Sequence, residues 1–267
     1  MGIITISRGS YSKGRETAEK LAARLGYECI SRDILLEASA HFNIPETKLV
    51  RAIHDAPSFF ERFKHGKEKY ILFIREAFLE HLQSDNIVYH GLAGHFFIKG
   101  ISNILKVRII ANIEERIKEE MRREKISEKE ARYILKKDEE ERRKWGMHLY
   151  GIDTNDPSLY DVVLHIDNLK VNDAVDILAD IAKRSCFQTT QESRLKIGDF
   201  HLAAKAHSKI FDRFPSAEVK CKNAVVCVKI ETSLSLEETV NNEIHNMLGD
   251  INGIKEVKIK VIPFETD

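Results

Sequence analysis

Gly9 and Gly14 enclose Ser10-Tyr11-Ser12-Lys13, and Arg15, Glu16 and Thr17 follow. That spacing suits a loop wrapped around phosphate. Glycines let backbone N–H groups approach the oxygens, the positive end of a following helix adds to the field, and a cation supplies charge. Ser7, Gly9, Ser10, Ser12, Lys13, Gly14, Arg15, Glu16 and Thr17 form the expected phosphate-contacting set. In the full phosphate-loop pattern the second glycine precedes a lysine that reaches the outer phosphates and a Ser or Thr that holds magnesium. Here those places read Arg15 and Glu16. A second register counts back from Leu25-Gly26 along the helix face Ala18, Leu21, Ala22 and Leu25. It sets Gly14 at the lysine's place and Lys13 one residue early. Either Lys13 or Arg15 can supply the phosphate-binding cation. The magnesium-holding hydroxyl is missing in both registers, with Thr17 nearby, and no metal ligand is assigned.

A second group of cations lies between Asn112 and Tyr150, where the chain turns helical and densely charged. Asn112 with Glu115, and Ser127 with Glu130, have capping-box spacing, so two helices with a break near Lys125-Ile126 are expected. Such a pair makes a mobile cover. Arg116, Arg122, Arg123, Arg132, Arg142 and Arg143 are candidates to grip phosphates when it closes, since the guanidinium fork matches phosphate oxygens. The alternative is a solvated face laced by pairs such as Glu128–Arg132 and Glu119–Arg123.

The elements that must position these residues follow from hydrophobic pattern. Strand-like runs at 3–7, 86–90 and 107–111 alternate with helical patterns such as 68–83, which predicts a parallel sheet covered by helices on both faces. The glycine loop then falls at the carboxyl end of the first strand, where such sheets bind ligands. With 42 Lys plus Arg against 42 Asp plus Glu, net charge gives no argument for nucleic acid as a partner. No run of about 18 apolar residues spans a membrane, and the start lacks a signal-peptide layout, so a cytoplasmic location is expected. Cys29, Cys186, Cys221 and Cys227 have no metal-ligand spacing and read as reduced thiols.

The first ~185 residues resemble the cytidylate-kinase-like family, a branch of the P-loop nucleoside monophosphate kinases. The resemblance rests on Ile4-Thr5-Ile6-Ser7-Arg8, the run from Gly14-Arg15-Glu16-Thr17 to Leu25-Gly26, Gly91-Leu92-Ala93-Gly94-His95-Phe96, Val107-Arg108-Ile109-Ile110-Ala111 and Tyr150-Gly151-Ile152-Asp153. It implies phosphoryl transfer from ATP, with Mg2+, to a nucleoside monophosphate of the CMP type, a reaction governed by positioning and charge neutralisation. It also implies roles for particular residues. Lys13, Arg15, Arg116 and Arg142 would act on the transferring phosphoryl group, and Arg32, Asp33 and Arg108 would border the acceptor. The family's departures here are Ser31 and Leu92, the latter standing where an arginine is common, and these leave open a nucleotide-binding regulator with little turnover.

Past Lys183 the composition shifts. Residues 185–193 are polar without helical periodicity and read as a linker, giving expected domains at 1–184 and 198–267 joined by 185–197. A helix at 200–214, strands at 217–221 and 225–231 about a Lys222-Asn223-Ala224 turn, a helix at 236–248 opened by a Ser235/Glu238 capping box, and a strand at 255–262 follow. The order resembles a divergent BON domain, which implies a regulatory module for a small-molecule, lipid or protein ligand.

Overall fold

The computed structural model describes residues 2–9, 13–31, 33–43, 66–91 and 94–263. They fall into two compact units, one formed by residues 2–43 and 84–190, the other by 66–83 and 191–263.

The first unit is built on five parallel strands, β1 (Ile3–Arg8), β2 (Glu28–Ile30), β3 (Ile87–His90), β4 (Leu105–Ala111) and β5 (Val162–Ile166), in the spatial order β2-β3-β1-β4-β5. β1 is central, and Ile4 pairs with Val88 on one side and Leu105 on the other. Successive strand side chains point to opposite faces, yet Ile3 and Ile4 are both 1% exposed, so both faces of the sheet are covered. The expected parallel α/β architecture is therefore present. β2 and β5, at the edges, have no strand assignment from pattern alone.

Six helices belong to this unit among the described residues: α1 (Gly14–Leu25), α2 (Asp33–Phe42), α4 (Gly94–Phe97), α5 (Ile113–Glu124), α6 (Glu128–Tyr150) and α7 (Val171–Ala182). Ala18, Leu21 and Ala22 of α1 pack with Val175, Leu178 and Ala179 of α7 over Ile4, Ile6, Val107 and Ile109. α1 stops at Gly26, whose left-handed backbone (φ 67°) turns its N–H back to the carbonyls of Ala22 and Ala23. The break between α5 and α6 falls at Lys125, also left-handed. Ser127 and Glu130 make the expected reciprocal capping box. Asn112 makes half of one, its side chain accepting from the Glu114 N–H while Glu115 pairs with Lys118.

The second unit combines α3 (Gly66–His81) and α8 (Gln191–Ile210) with β6 (Glu218–Lys222), β7 (Val225–Glu231), α9 (Glu237–Leu248) and β8 (Glu256–Ile262). The sheet order is β6-β7-β8, antiparallel then parallel. Ile210, Val226, Val228, Ile244 and Leu248 are fully buried in its core, with Leu202 and Val257 packed against them. Two expectations change here. α8 begins at Gln191, so residues 191–197 are helix rather than linker; its buried face includes Ser193, Gly198's neighbour Ile197 and His201, polar enough to hide the period. No Ser235/Glu238 box forms: Ser233 caps a short 3-10 turn at Leu234–Leu236, and α9 follows without a side-chain cap. Asn223 (φ 54°) and Ala224 (φ 64°) form the two-residue turn between β6 and β7, whose paired positive φ values match strand twist. Asp199 of α8 holds that turn, its carboxylate accepting from the N–H groups of Asn223 and Ala224, both at 2.8 Å.

Candidate phosphate site at the head of the first helix

β1 delivers Ser7, Arg8 and Gly9 to the carboxyl edge of the sheet, and α1 starts five residues beyond Gly9. Lys13 precedes α1 in a left-handed conformation (φ 66°), exposed, with its carbonyl accepting from the Thr17 backbone N–H and hydroxyl, each at 2.9 Å. Gly14 is buried beneath Arg8. A Cβ there would lie 2.5 Å from Arg8 Cβ and 2.8 Å from its Cδ, so glycine is what lets Arg8 lie across the start of the helix.

Three arginines from separate elements meet at this edge. Arg116 of α5 is 7% exposed and lies over Gly9, where an added Cβ would stand 3.2 Å from its Nη2. It donates to Glu139 Oε1 of α6 at 2.5 Å. Arg142 of α6 is half-buried and donates to the Arg8 carbonyl at 3.3 Å. Desolvation pulls the Arg142 guanidinium below its ordinary pKa; Asp138 opposes this, Arg8 and Arg116 add to it, and Glu139 opposes it. Arginine does not deprotonate in proteins, so the shift marks a cation that gains from a nearby anion.

Arg108 of β4 completes the group by fixing the wall. Its guanidinium donates to Ser7 Oγ at 3.1 Å, to the Tyr160 hydroxyl at 3.4 Å and to Asn155 Oδ1 at 2.9 Å. Ser7, Arg8, Gly9, His95, Arg108, Glu139, Arg142 and Asn155 line a cavity of about 30 Å³. Burial, with repulsion from Arg108 and Lys106, pulls His95 down to about 4, so its imidazole is neutral at pH 7.

Two larger recesses adjoin. One of about 420 Å³ is lined by Arg8, Lys13, Gly14, Arg15, Glu119, Arg123 and Asp138. The other, about 750 Å³, lies at the ends of β4 and β5 between the starts of α1, α5 and α7, and its wall includes Lys13, Asn112, Glu115, Asp167, Lys170 and Asn172.

The sequence-predicted residues fare unequally. Ser7, Gly9, Lys13, Gly14, Arg108, Arg116 and Arg142 gather around these three spaces. Arg15 lines the 420 Å³ recess, but its guanidinium is engaged by Glu19 at 2.8 Å, which raises its pKa. Glu16 pairs with Lys20. Thr17 is fully buried and donates its hydroxyl to the Lys13 carbonyl. Ser10, Ser12 and Arg32 lie outside the described residues, and Asp33 is described only as the first residue of α2. In the cover, Arg132 pairs with Glu114 and Glu128, Arg122 with Glu119, and Arg143 with Asp153, the solvated-face arrangement. Arg8, His95, Glu139 and Asn155 were not in the predicted set. Arg8 had a signal, its place at the end of the first strand; the others join the site through folding alone.

The residues suit a phosphate chain better than a protein-held metal. Glycines at positions 9 and 14, the N-terminus of α1 and the cations Arg8, Lys13, Arg116 and Arg142 match anionic oxygens. Among the described residues no three His, Cys, Asp or Glu side chains converge as metal ligands. No described helix is long and apolar enough to cross a membrane.

Residues 3–168 match the cytidylate kinase-like family. A cytidylate kinase of Methanosarcina acetivorans is 36% identical over 100 residues, 37% of this chain and 54% of that one, so the chain spans about half that relative's length. One from Pyrobaculum aerophilum is 25% identical over 183 residues, covering 67% of this chain and 92% of its own. One from Thermoplasma acidophilum is 28% identical over 170 residues, 62% and 85% of the respective chains. The crystal structure of an uncharacterized protein from Eubacterium ventriosum superposes with a TM-score of 0.53 at 20% identity, over 69% of this chain and 100% of that one, a likeness of fold.

Proposed function

The chain belongs to the cytidylate kinase-like family, and we propose on that footing that it transfers a phosphoryl group from ATP to a nucleoside monophosphate, with CMP the expected acceptor. The observation that supports this reading most is the convergence of Arg8, Arg116 and Arg142 on Gly9 at the head of α1. Phosphoryl transfer asks little covalent chemistry of a protein and much charge neutralisation, so fixed guanidinium groups are what the reaction requires. In this proposal the donor nucleoside occupies the 750 Å³ recess. Its phosphates run past Lys13 and the α1 N-terminus toward Arg8 and Arg142, and the acceptor phosphate approaches from the Arg108 and Asn155 side. Magnesium travels with the donor phosphates as their counter-ion. The C-terminal helix–strand–strand–helix–strand portion serves as a BON-like accessory module for a small-molecule, lipid or protein ligand, a role supported by element order alone.

A second reading, a nucleotide-responsive binder with little turnover, is favoured by one feature: the place of the magnesium-holding hydroxyl reads Glu16 or Arg15 according to register, and the nearby Thr17 hydroxyl is engaged by the Lys13 carbonyl. A coupled assay with ATP, magnesium and each of CMP, UMP, AMP and GMP separates them. The kinase reading expects turnover, fastest with CMP. ATP binding by calorimetry without turnover on any of the four would favour the binder, and absence of both would overturn both.

A further inference from the structure

Glu139 stands apart from the other acidic residues of the helical cover. Glu114 and Glu128 pair with the exposed Arg132 and Glu119 pairs with Arg122 at the wall of the 420 Å³ recess, whereas Glu139 lines the 30 Å³ cavity beside Arg8, Arg108 and Arg142 and accepts from Arg116. Its carboxylate, planar and anionic with two acceptor oxygens, offers guanidinium groups what a phosphate offers them.

We propose that Glu139 is an internal stand-in for substrate phosphate: it holds α6 against the phosphate loop through Arg116, and an incoming phosphate must displace it. The proposal rests on the phosphate-binding role given to this site above. Position is the first argument. Glu139 lines the same cavity as Arg8, Arg108 and Arg142, so its carboxylate stands in the wall that phosphate oxygens would reach to meet those guanidinium groups. Mobility of charge is the second. The Arg116 side chain is 8% exposed, but that of Glu139 is 48% exposed and can rotate into water at small desolvation cost. Electrostatics is the third. Arg116 is a buried cation that needs an anion at all times; Glu139 supplies one in the empty protein, and the arriving phosphate supplies one afterwards. Such an exchange ties lid position to occupancy of the site without any further element.

The consequence is a gain of affinity on removing a charge, which a purely structural brace would not give. The full chain would be titrated by calorimetry with inorganic pyrophosphate and with ATP, in the wild type, Glu139→Gln, Glu139→Ala and the control Glu140→Gln, whose carboxylate is exposed on the same helix and absent from the cavity wall. Both Glu139 variants should bind pyrophosphate about fivefold more tightly, the worth of one partly exposed ion pair, with Glu140→Gln within about twofold of wild type. Equal or weaker binding in both Glu139 variants would overturn the proposal, as would an equal gain in Glu140→Gln, which would mark a bulk-charge effect. Loss of fold in both Glu139 variants would overturn it too, since a displaceable group is dispensable to folding. If wild type and variants bind neither pyrophosphate nor ATP, the proposed function fails with it; if the wild type turns over CMP normally but the variants gain nothing, the stand-in role fails alone.

Discussion

Replacing Gly14 by alanine tests how the loop and the first helix cooperate. The new Cβ would sit 2.5 Å from Arg8 Cβ, 3.2 Å from its Cγ and 2.8 Å from its Cδ. None of these atoms is the free end of the side chain, and Cβ is fixed by the backbone, so the end of β1 must shift and carry Arg8 away from the α1 N-terminus. The backbone itself accepts alanine, because Gly14 is not among the residues with positive φ. Crowding costs about 1–3 kcal/mol in a packed setting, offset in part by up to about 1 kcal/mol of helix propensity gained over glycine. The net loss of stability is then roughly 1 kcal/mol. Function should suffer more. A hydrogen bond to a charged group contributes about 1.5–3 kcal/mol, so withdrawing Arg8 should weaken ATP binding by roughly ten- to a hundredfold. Calorimetric titration with ATP and magnesium, beside thermal unfolding of the same samples, measures both quantities. ATP affinity within threefold of wild type in a variant with the expected small loss of stability would refute the role given to Arg8 and to the glycine beneath it.

Lys13→Met should weaken ATP binding about tenfold, the loss of one charge-assisted contact, whereas Arg15→Ala, whose guanidinium is engaged by Glu19, should stay within about twofold; the reverse ranking would make Arg15 the phosphate cation. In the second unit, burial and then Arg75 pull His207 down to about 4, below the ~6.5 of an unfolded chain. Falling pH therefore protonates the unfolded state first, and stability present above pH 6.5 is lost progressively toward pH 4. Thermal melts at pH 7.5 and pH 5 should show roughly 1–2 kcal/mol more loss in wild type than in His207→Gln; parallel losses would contradict the assignment. Ala224→Gly should stabilise the β6–β7 turn by about 1 kcal/mol, because alanine is strained at φ 64°, and an unchanged or lower melting temperature would count against that strain. Finally, a chain ending at Lys183 keeps α3 but removes α8, with which α3 is grouped in one unit; the loss of that partner should cause aggregation, and a soluble cooperative fragment would favour the 1–184 boundary instead.

The sequence by itself determined the parallel sheet, the position of the glycine loop and most of the C-terminal elements. Those signals are local: β1 is an unbroken apolar run, α1 has a regular buried face ending in Gly26, and the α6 capping box is written in Ser127 and Glu130. Three things were decided only by tertiary structure. Helix α3 joins α8 rather than the sheet it precedes, because an amphipathic face does not name its partner and α8 shows a muted period through Ser193 and His201. Of the six arginines of the cover, Arg122, Arg132 and Arg143 pair with acidic side chains, Arg123 lines the 420 Å³ recess, and Arg116 and Arg142 turn inward, a division set by which way α5 and α6 lie over Gly9. The cavity's other groups come from points far apart in the chain, His95 from α4, Arg108 from β4, Glu139 from α6 and Asn155 from the turn before β5. Local propensity cannot encode that meeting. It follows from parallel pairing and strand order, which set the carboxyl ends of β3, β1 and β4 side by side at one edge.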